Sequence, residues 1–134
     1  MRIISGKLKG KKLNFLNAPS TRPLKDMVRE SIFNTILHSN LITVPIEGSK
    51  VLDIYSGTGS FGIECISRGA SEVNFVEKDK KALKILKENL NNLSLNNKTL
   101  VFSEDAQSFL RKKIEINKFD IFFLDPPFLN KDYL

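Results

Sequence analysis

A chain of 134 residues with 41% apolar and 27% charged residues has the balance of one soluble globular domain and enough length to bury a real core. Its single cysteine, Cys65, excludes an internal disulfide framework and a cysteine-rich zinc site, and its single histidine, His38, removes the usual zinc-enzyme ligand sets, so no metal is expected. The net charge of +6 is unevenly placed: residues 1–50 carry nine Lys/Arg against three Asp/Glu, whereas residues 51–134 carry twelve of each.

No stretch approaches the roughly 18 uninterrupted apolar residues of a membrane span, and the start, Met1 to Lys7, lacks the apolar segment and cleavage site of a signal peptide. A reducing, cytoplasmic setting is expected. Residues 1–13 hold Arg2, Lys7, Lys9, Lys11 and Lys12 with no acid, the electrostatic footprint of a polyanion binder. On charge alone, a solvated lysine-rich face explains the block equally well.

In chain order, residues 2–5 and 11–15 are short β-like runs separated by Gly6 and Gly10, and read as a basic hairpin. Asn17 to Ser20 is a turn. After Pro23, the positions Leu24, Met27, Val28, Ile32, Phe33 and Ile36 recur at helical spacing, with Arg22, Lys25 and Arg29 off the apolar stripe. From residue 51 strands and helices alternate. Strands are predicted over 51–55, 73–77, 99–102 and 120–124, and helices over 61–67, from Asp79 through Leu93, and from Ala106 to about Ile114. Near-continuous apolar strands separated by helices imply a parallel sheet covered on both faces, a doubly wound α/β fold.

Gly57-Thr58-Gly59-Ser60-Phe61-Gly62 fits G-x-G-x-x-G between a strand and a helix, where glycines let a backbone approach a nucleotide cofactor. Asp53, four residues before Gly57, argues about which cofactor. A dinucleotide brings its pyrophosphate to this turn, where an extra carboxylate repels it; S-adenosylmethionine brings an ammonium and a sulfonium, which an acid welcomes. Glu77, at the end of the second strand, suits ribose hydroxyls. Asp105 follows the third strand and suits an adenine amino group, with helix capping an equally good account.

Asp125-Pro126-Pro127-Phe128 follows the fourth strand. Two prolines make a stiff loop lacking two N–H donors, so carbonyls can face a ligand without internal competition. Asp125 and the Pro126 carbonyl can accept hydrogen bonds from an exocyclic amine, and Phe128 offers a face for base stacking. The lone pair of an aromatic amine is delocalised into its ring. Acceptors on its two hydrogens favour a more tetrahedral nitrogen aimed at a sulfonium methyl, so catalysis is positioning and electrostatics.

Met1 to Gly6, Thr21-Arg22-Pro23, Val28 to Asn34, Asp53 to Gly62, Val76 to Asp79 and Asp125 to Phe128 together resemble the bacterial 16S ribosomal RNA guanine-N2 methyltransferases. The resemblance runs in order along essentially the whole chain. It implies a Rossmann-like class I methyltransferase fold, S-adenosylmethionine as cofactor and N2-methylguanine in 16S rRNA as product. It also implies a division into an RNA-contacting extension, 1–45, and a cofactor-binding core, 46–134. Asp53, Gly57 and Gly59 would hold the methionine end, with Thr58 beside them and Tyr55 either touching the cofactor or simply packing; Glu77 with Lys78 would hold the ribose, and Asp105 with Ala106 the adenine edge. Asp125 adjoins the cofactor and, with Pro126, Pro127 and Phe128, would hold the guanine. Arg2, Lys7, Lys9, Lys11, Arg22 and Arg29 would meet RNA phosphates, in free 16S rRNA or an assembling small subunit, as a monomer. The sheet of that fold usually has more strands than the four read here. A part shaping the guanine pocket and covering the apolar fourth strand is therefore expected to be missing after Leu134.

Adenine-N6 methylation of DNA or RNA is the nearest alternative, since D-P-P-F also suits that amine; the hairpin and the T-R-P segment argue against it. A non-catalytic RNA-binding module that keeps the cofactor pocket is another. A nicotinamide oxidoreductase is disfavoured by Asp53 and the D-P-P-F loop. Cys65 reads as a small core residue, His38 as a solvated helix end, and Lys80 to Lys87 as a solvated helix face.

Overall fold

The computed structural model describes residues 1–16, 45–112 and 118–125. Four strands are found among them: β1 (Lys50–Ile54), β2 (Glu72–Glu77), β3 (Thr99–Ser103) and β4 (Ile121–Leu124). They alternate with helices α1 (Ser60–Ser67), α2 (Lys80–Asn92) and α3 (Ala106–Arg111). All pairings are parallel and the order is β3-β2-β1-β4. The chain therefore winds outward from β1 through β2 to β3, then returns to the other side of β1 for β4. That reversal is the topological switch point of a doubly wound sheet, beside which ligands bind at the strands' carboxyl ends.

The inner strands β1 and β2 bury both faces with a period of two, as strands covered by helices do, whereas Leu100 of the edge strand β3 is 50% exposed. Val51, Val73 and Phe75 join Phe61, Ile63 and Ile66 of α1 and Leu86 and Leu90 of α2 in one core. Leu52, Ile54 and Val76 face the other way, onto Ala106 and Phe109 of α3 and Phe119. Phe61 and Phe123 stack with centroids 3.8 Å apart, tying α1 to β4. The outer face of β4 is open: Phe122 is 44% and Leu124 57% exposed.

The basic N-terminal segment closes on itself and then onto α1. Arg2 pairs with Lys12 in an antiparallel bridge, and Ile3, Gly10 and Leu13 donate backbone hydrogen bonds to Lys11, Ile3 and Met1 across it. Ile3 and Leu13 are buried in the α1/α2 core, so the hairpin forms a further layer over those helices. Glu64 of α1, wholly buried, accepts the backbone N–H groups of Ile4 at 2.9 Å and Ser5 at 3.0 Å, and pairs with Arg68 at 2.9 Å. The Ser67 hydroxyl accepts from Leu8 N–H at 2.9 Å and donates to the Ser5 carbonyl. Most boundaries differ from expectation by one residue: β1 and β2 begin early, at Lys50 and Glu72, β3 runs on to Ser103, and β4 begins at Ile121. Likewise α1 begins at Ser60, α2 keeps Asp79 and Leu93 as its caps, and β1 ends at Ile54, where Tyr55 turns to φ +61. The helix expected after Pro23 lies outside the described residues; α3 ends at Arg111 with Lys112 as its cap, earlier than the predicted end near Ile114.

Candidate active site

A helix leaves its first backbone N–H groups without partners, and a side chain at the cap position usually takes one. Asp79 does so for α2, accepting from Ala82 N–H at 2.9 Å, and Asp105 for α3, accepting from Ser108 N–H at 2.7 Å. The cap of α1 is Gly59, at φ +92, which has no side chain to offer. Asp53 replaces it from inside β1: its Oδ2 accepts the Gly62 N–H at 3.1 Å. The acid read as a cofactor ligand therefore also holds the first turn of the helix.

Strand register gathers the other acids beside it. Ile54 pairs with Val76 and with Leu124, and Glu77 pairs with Ser103. The next residues, Tyr55, Glu77 and Asp125, thus lie at one level of the sheet's carboxyl edge. Asp53 is 1% exposed. Burial pushes its carboxyl up to about 8; the Gly62 hydrogen bond opposes that rise, and the charges of Asp125 and Glu77 add to it.

Glu77 shapes the turn from β2. Its Oε1 accepts Gly57 N–H at 2.8 Å, and its Oε2 accepts Lys78 and Asp79 N–H, each at 2.9 Å. Ser56 N–H donates to the Val76 carbonyl at 3.1 Å and Gly59 N–H to the Ser56 carbonyl at 2.9 Å. The glycines do different jobs. A Cβ on Gly57, at φ +57, would meet nothing within 4 Å, so the turn is open there. A Cβ on Gly59 would come within 2.4 Å of Leu86 Cδ1, and one on Gly62 within 2.4 Å of Phe75 Cε1. These two let α1 pack closely. The Ser56 hydroxyl is buried with no hydrogen-bond partner among the described residues.

Of the residues singled out from sequence, Asp53, Glu77 and Asp125 converge beside the Gly57–Gly59 turn. Tyr55 is half-buried and holds a left-handed backbone, which is rare for a bulky residue and concentrates at functional sites. Thr58 is buried, and Lys78 is exposed, with its backbone N–H on Glu77. Asp105 is exposed and caps α3, and Ala106 is buried behind it. Arg2, Lys7, Lys9 and Lys11 are exposed on the hairpin, where Arg2 also donates to the Gly10 carbonyl at 2.9 Å. Pro126, Pro127, Phe128, Arg22 and Arg29 lie outside the described residues. Cys65 is fully buried, and its thiol is pushed well above its ordinary value by that burial and then by Asp53 and Glu64, as suits a core residue.

Three site-forming residues escaped the sequence reading: Ser56, Glu64 and Asn89. Asn89 stands on an otherwise apolar, inward stripe of α2, and that misplaced polarity is the signal that could have found it; Glu64 shares its stripe with Ser60 and Ser67 and gives no such signal.

The chain is 40% identical over 129 residues to a Bacillus subtilis protein provisionally named as an rRNA methyltransferase, covering 96% of this chain and 67% of that one. It is 38% identical over 129 residues to Ribosomal RNA small subunit methyltransferase D of Haemophilus influenzae, covering 96% and 64%. Among solved structures, a hypothetical protein of Thermus thermophilus superposes with a TM-score of 0.79 at 28% identity, over 98% of this chain and 71% of that one. The chain spans about two thirds or less of the length of the curated relatives it matches, 67% and 64% in these two. Its fold is the Rossmann-like α/β fold of class I methyltransferases, as the sequence implied. The family model described as Conserved hypothetical protein 95 matches residues 1–134, and the chain belongs to that family.

Proposed function

We propose that this chain is the core of an S-adenosylmethionine-dependent rRNA methyltransferase whose acceptor is the exocyclic N2 amine of a guanine in 16S rRNA, in the cytoplasm. The carrying observation is the convergence of Asp53, Glu77 and Asp125 on the turn at the switch point. The charges of Glu77 and Asp125 there repel a dinucleotide's pyrophosphate, and Asp53 offers it no donor once ionised. The three acids suit a ligand with an ammonium, a ribose diol and a sulfonium. The open space over Gly57 and the buried Ser56 hydroxyl leave room and a donor for that ligand's amino-acid end, so the residues fit the cofactor. The names of the relatives from H. influenzae and B. subtilis supply the RNA class.

When bound, S-adenosylmethionine supplies an electrophilic methyl group on a sulfonium. The chain's own part is binding and orientation. Asp53 offers a carboxylate to an ammonium. Glu77, already fixed by three backbone N–H groups, offers remaining lone pairs to ribose hydroxyls. Asp105, with Ala106 behind it, borders the adenine edge. Asp125 accepts a hydrogen bond from the attacking amine and stabilises the positive charge that develops on its nitrogen. Pro126, Pro127 and Phe128 complete the guanine site on the strength of sequence. Residues 1–45 form the RNA-contacting extension and 46–134 the cofactor core.

Titration calorimetry with S-adenosylmethionine and with NAD, on this chain and on Asp53→Ala, tests the reading. Saturable S-adenosylmethionine binding that Asp53→Ala weakens is expected. Binding of NAD instead overturns the cofactor. Tritiated methyl transfer to 16S rRNA, abolished by Asp125→Ala, then tests the acceptor, and label appearing on adenine rather than guanine overturns that part.

A further inference from the structure

Asn89 lies on α2, on the stripe that carries Leu86 and Leu90 into the core, and is 2% exposed. A primary amide there needs partners for two donors and an acceptor. It finds them in two places that are far apart in sequence. Its Nδ2 donates to the Thr58 carbonyl at 3.0 Å, in the middle of the Gly57–Gly59 turn, and to the Asn14 carbonyl at 2.9 Å. Its Oδ1 accepts the Asn14 N–H at 2.9 Å. One buried side chain thus fastens the turn to the segment that leaves the basic hairpin.

The consequence for the turn is specific. The Thr58 carbonyl belongs to the peptide whose N–H, on Gly59, donates to the Ser56 carbonyl. Holding the carbonyl inward on Asn89 fixes the plane of that peptide, and with it the open side over Gly57. The hairpin has its own anchorage at the far end of α1, where Ser67 takes Leu8 N–H and Lys7 N–H donates to the Ser67 carbonyl. Seating the hairpin on α1 therefore sets where Asn14 presents its N–H and carbonyl, and Asn89 passes that position to the turn.

We propose that Asn89 is a positioning residue that makes the geometry of the cofactor turn depend on the seating of the N-terminal basic hairpin, so that a polyanion held on the hairpin and a cofactor held on the turn favour each other's binding. This rests on the cofactor reading of the turn given above. The link acts through packed, hydrogen-bonded groups, and linkage requires it to be reciprocal.

The test is amide hydrogen exchange together with S-adenosylmethionine calorimetry on the full chain, its Asn89→Leu variant, and Asn89→Asp as the near-isosteric alternative should the leucine variant not fold. In either variant the amides of residues 57–63 and 11–16 are expected to exchange about tenfold faster or more, while β1 and β2 stay protected; losing the one neutral hydrogen bond to Thr58 sets that scale for the turn, and Asn89→Leu removes two from Asn14. Adding a 16S rRNA transcript slows exchange over 57–63 in the parent and not in the variant. Ser67→Ala, which loosens only the hairpin, weakens S-adenosylmethionine binding severalfold in the parent and not in the Asn89→Leu background, the non-additivity of a coupled pair. Faster exchange confined to 11–16 overturns the proposal, as does a Ser67→Ala effect of equal size in both backgrounds. Exchange behaving as expected in a chain that does not bind S-adenosylmethionine upholds the mechanical link and refutes the cofactor reading instead.

Discussion

Glu77 Oε1 accepts the backbone N–H of Gly57 at 2.8 Å, so the acid that ends β2 closes the turn that leaves β1. Its second oxygen takes the N–H groups of Lys78 and Asp79 at the start of α2. One carboxylate therefore orders two neighbouring loops. Glu77→Ala leaves three backbone donors without this acceptor. Half-buried donors are partly rescued by water, so the expected loss of stability is about 1–3 kcal/mol in urea unfolding. S-adenosylmethionine affinity is expected to fall further than stability alone dictates, because the turn and the ribose partner are lost together. An affinity unchanged in a folded Glu77→Ala chain would remove Glu77 from the site.

Asp53 gives the free chain a pH dependence with a definite sign. Its folded carboxyl is pushed up to about 8, above the ordinary value of 3.8, first by burial and then by Asp125 and Glu77. Between those limits the folded chain holds a proton that the unfolded chain has released. The contribution of Asp53 to stability is therefore whole below the ordinary value, declines as pH rises, and is fully lost above about 8. Asp53→Asn, which keeps an acceptor for Gly62 N–H, is expected to flatten that decline in urea unfolding across the range. A cationic ligand draws the proton off. Calorimetry near neutral pH in two buffers of different ionisation enthalpy should then show proton release when S-adenosylmethionine binds the parent, and none with Asp53→Asn.

The glycines of the turn separate packing from openness. Gly62→Ala drives a methyl to 2.4 Å from Phe75 Cε1 and 2.8 Å from Val73 Cγ1, in a core that is wholly buried. Overpacking of this kind costs about 1–3 kcal/mol. Gly57→Ala meets no atom and bears only the strain of its φ of +57, about 1–2 kcal/mol for an L residue. Gly62→Ala should lower stability in a way that Phe75→Leu partly relieves. Gly57→Ala should instead weaken S-adenosylmethionine binding by occupying the open side of the turn. Equal effects of both on both readouts would contradict this division.

Much of this was legible in the sequence because the βα units obey local rules. Each strand is an apolar run, Gly69 stands just after α1, and Asp79 and Asp105 stand where helix caps belong. The convergence of Asp53, Glu77 and Asp125 followed from parallel strands sharing one carboxyl edge. Relations between elements were not legible. Nothing in local pattern says that Asp53 caps α1 in place of Gly59, or that Glu64 and Asn89 spend their hydrogen bonds on a hairpin far earlier in the chain. Those partners are chosen by tertiary packing. The sequence signals only that a buried polar group must have some partner.

The hairpin's basic face is the place to separate an RNA surface from a merely solvated one. Lys7, Lys9 and Lys11 are exposed on a hairpin locked to α1, while Lys80, Lys81, Lys84 and Lys87 are exposed charges of the α2 helix. A phosphate contact releases counterions, so each lysine that makes one lowers the slope of log K against log salt by about 0.7–0.9 when removed. Single Lys→Gln changes at 7, 9 and 11 should each reduce the slope for a 16S rRNA transcript by about that amount, whereas Lys84→Gln should leave it unchanged. Gly6→Ala supplies the matching structural control. A Cβ there would lie 1.9 Å from the Ser67 carbonyl oxygen, so the hairpin cannot stay seated. Loss of the salt-dependent binding in Gly6→Ala, with the sheet still folded, would show that the lysines act as a fixed array on α1. A slope that responds only to α2 would move the RNA surface to that helix.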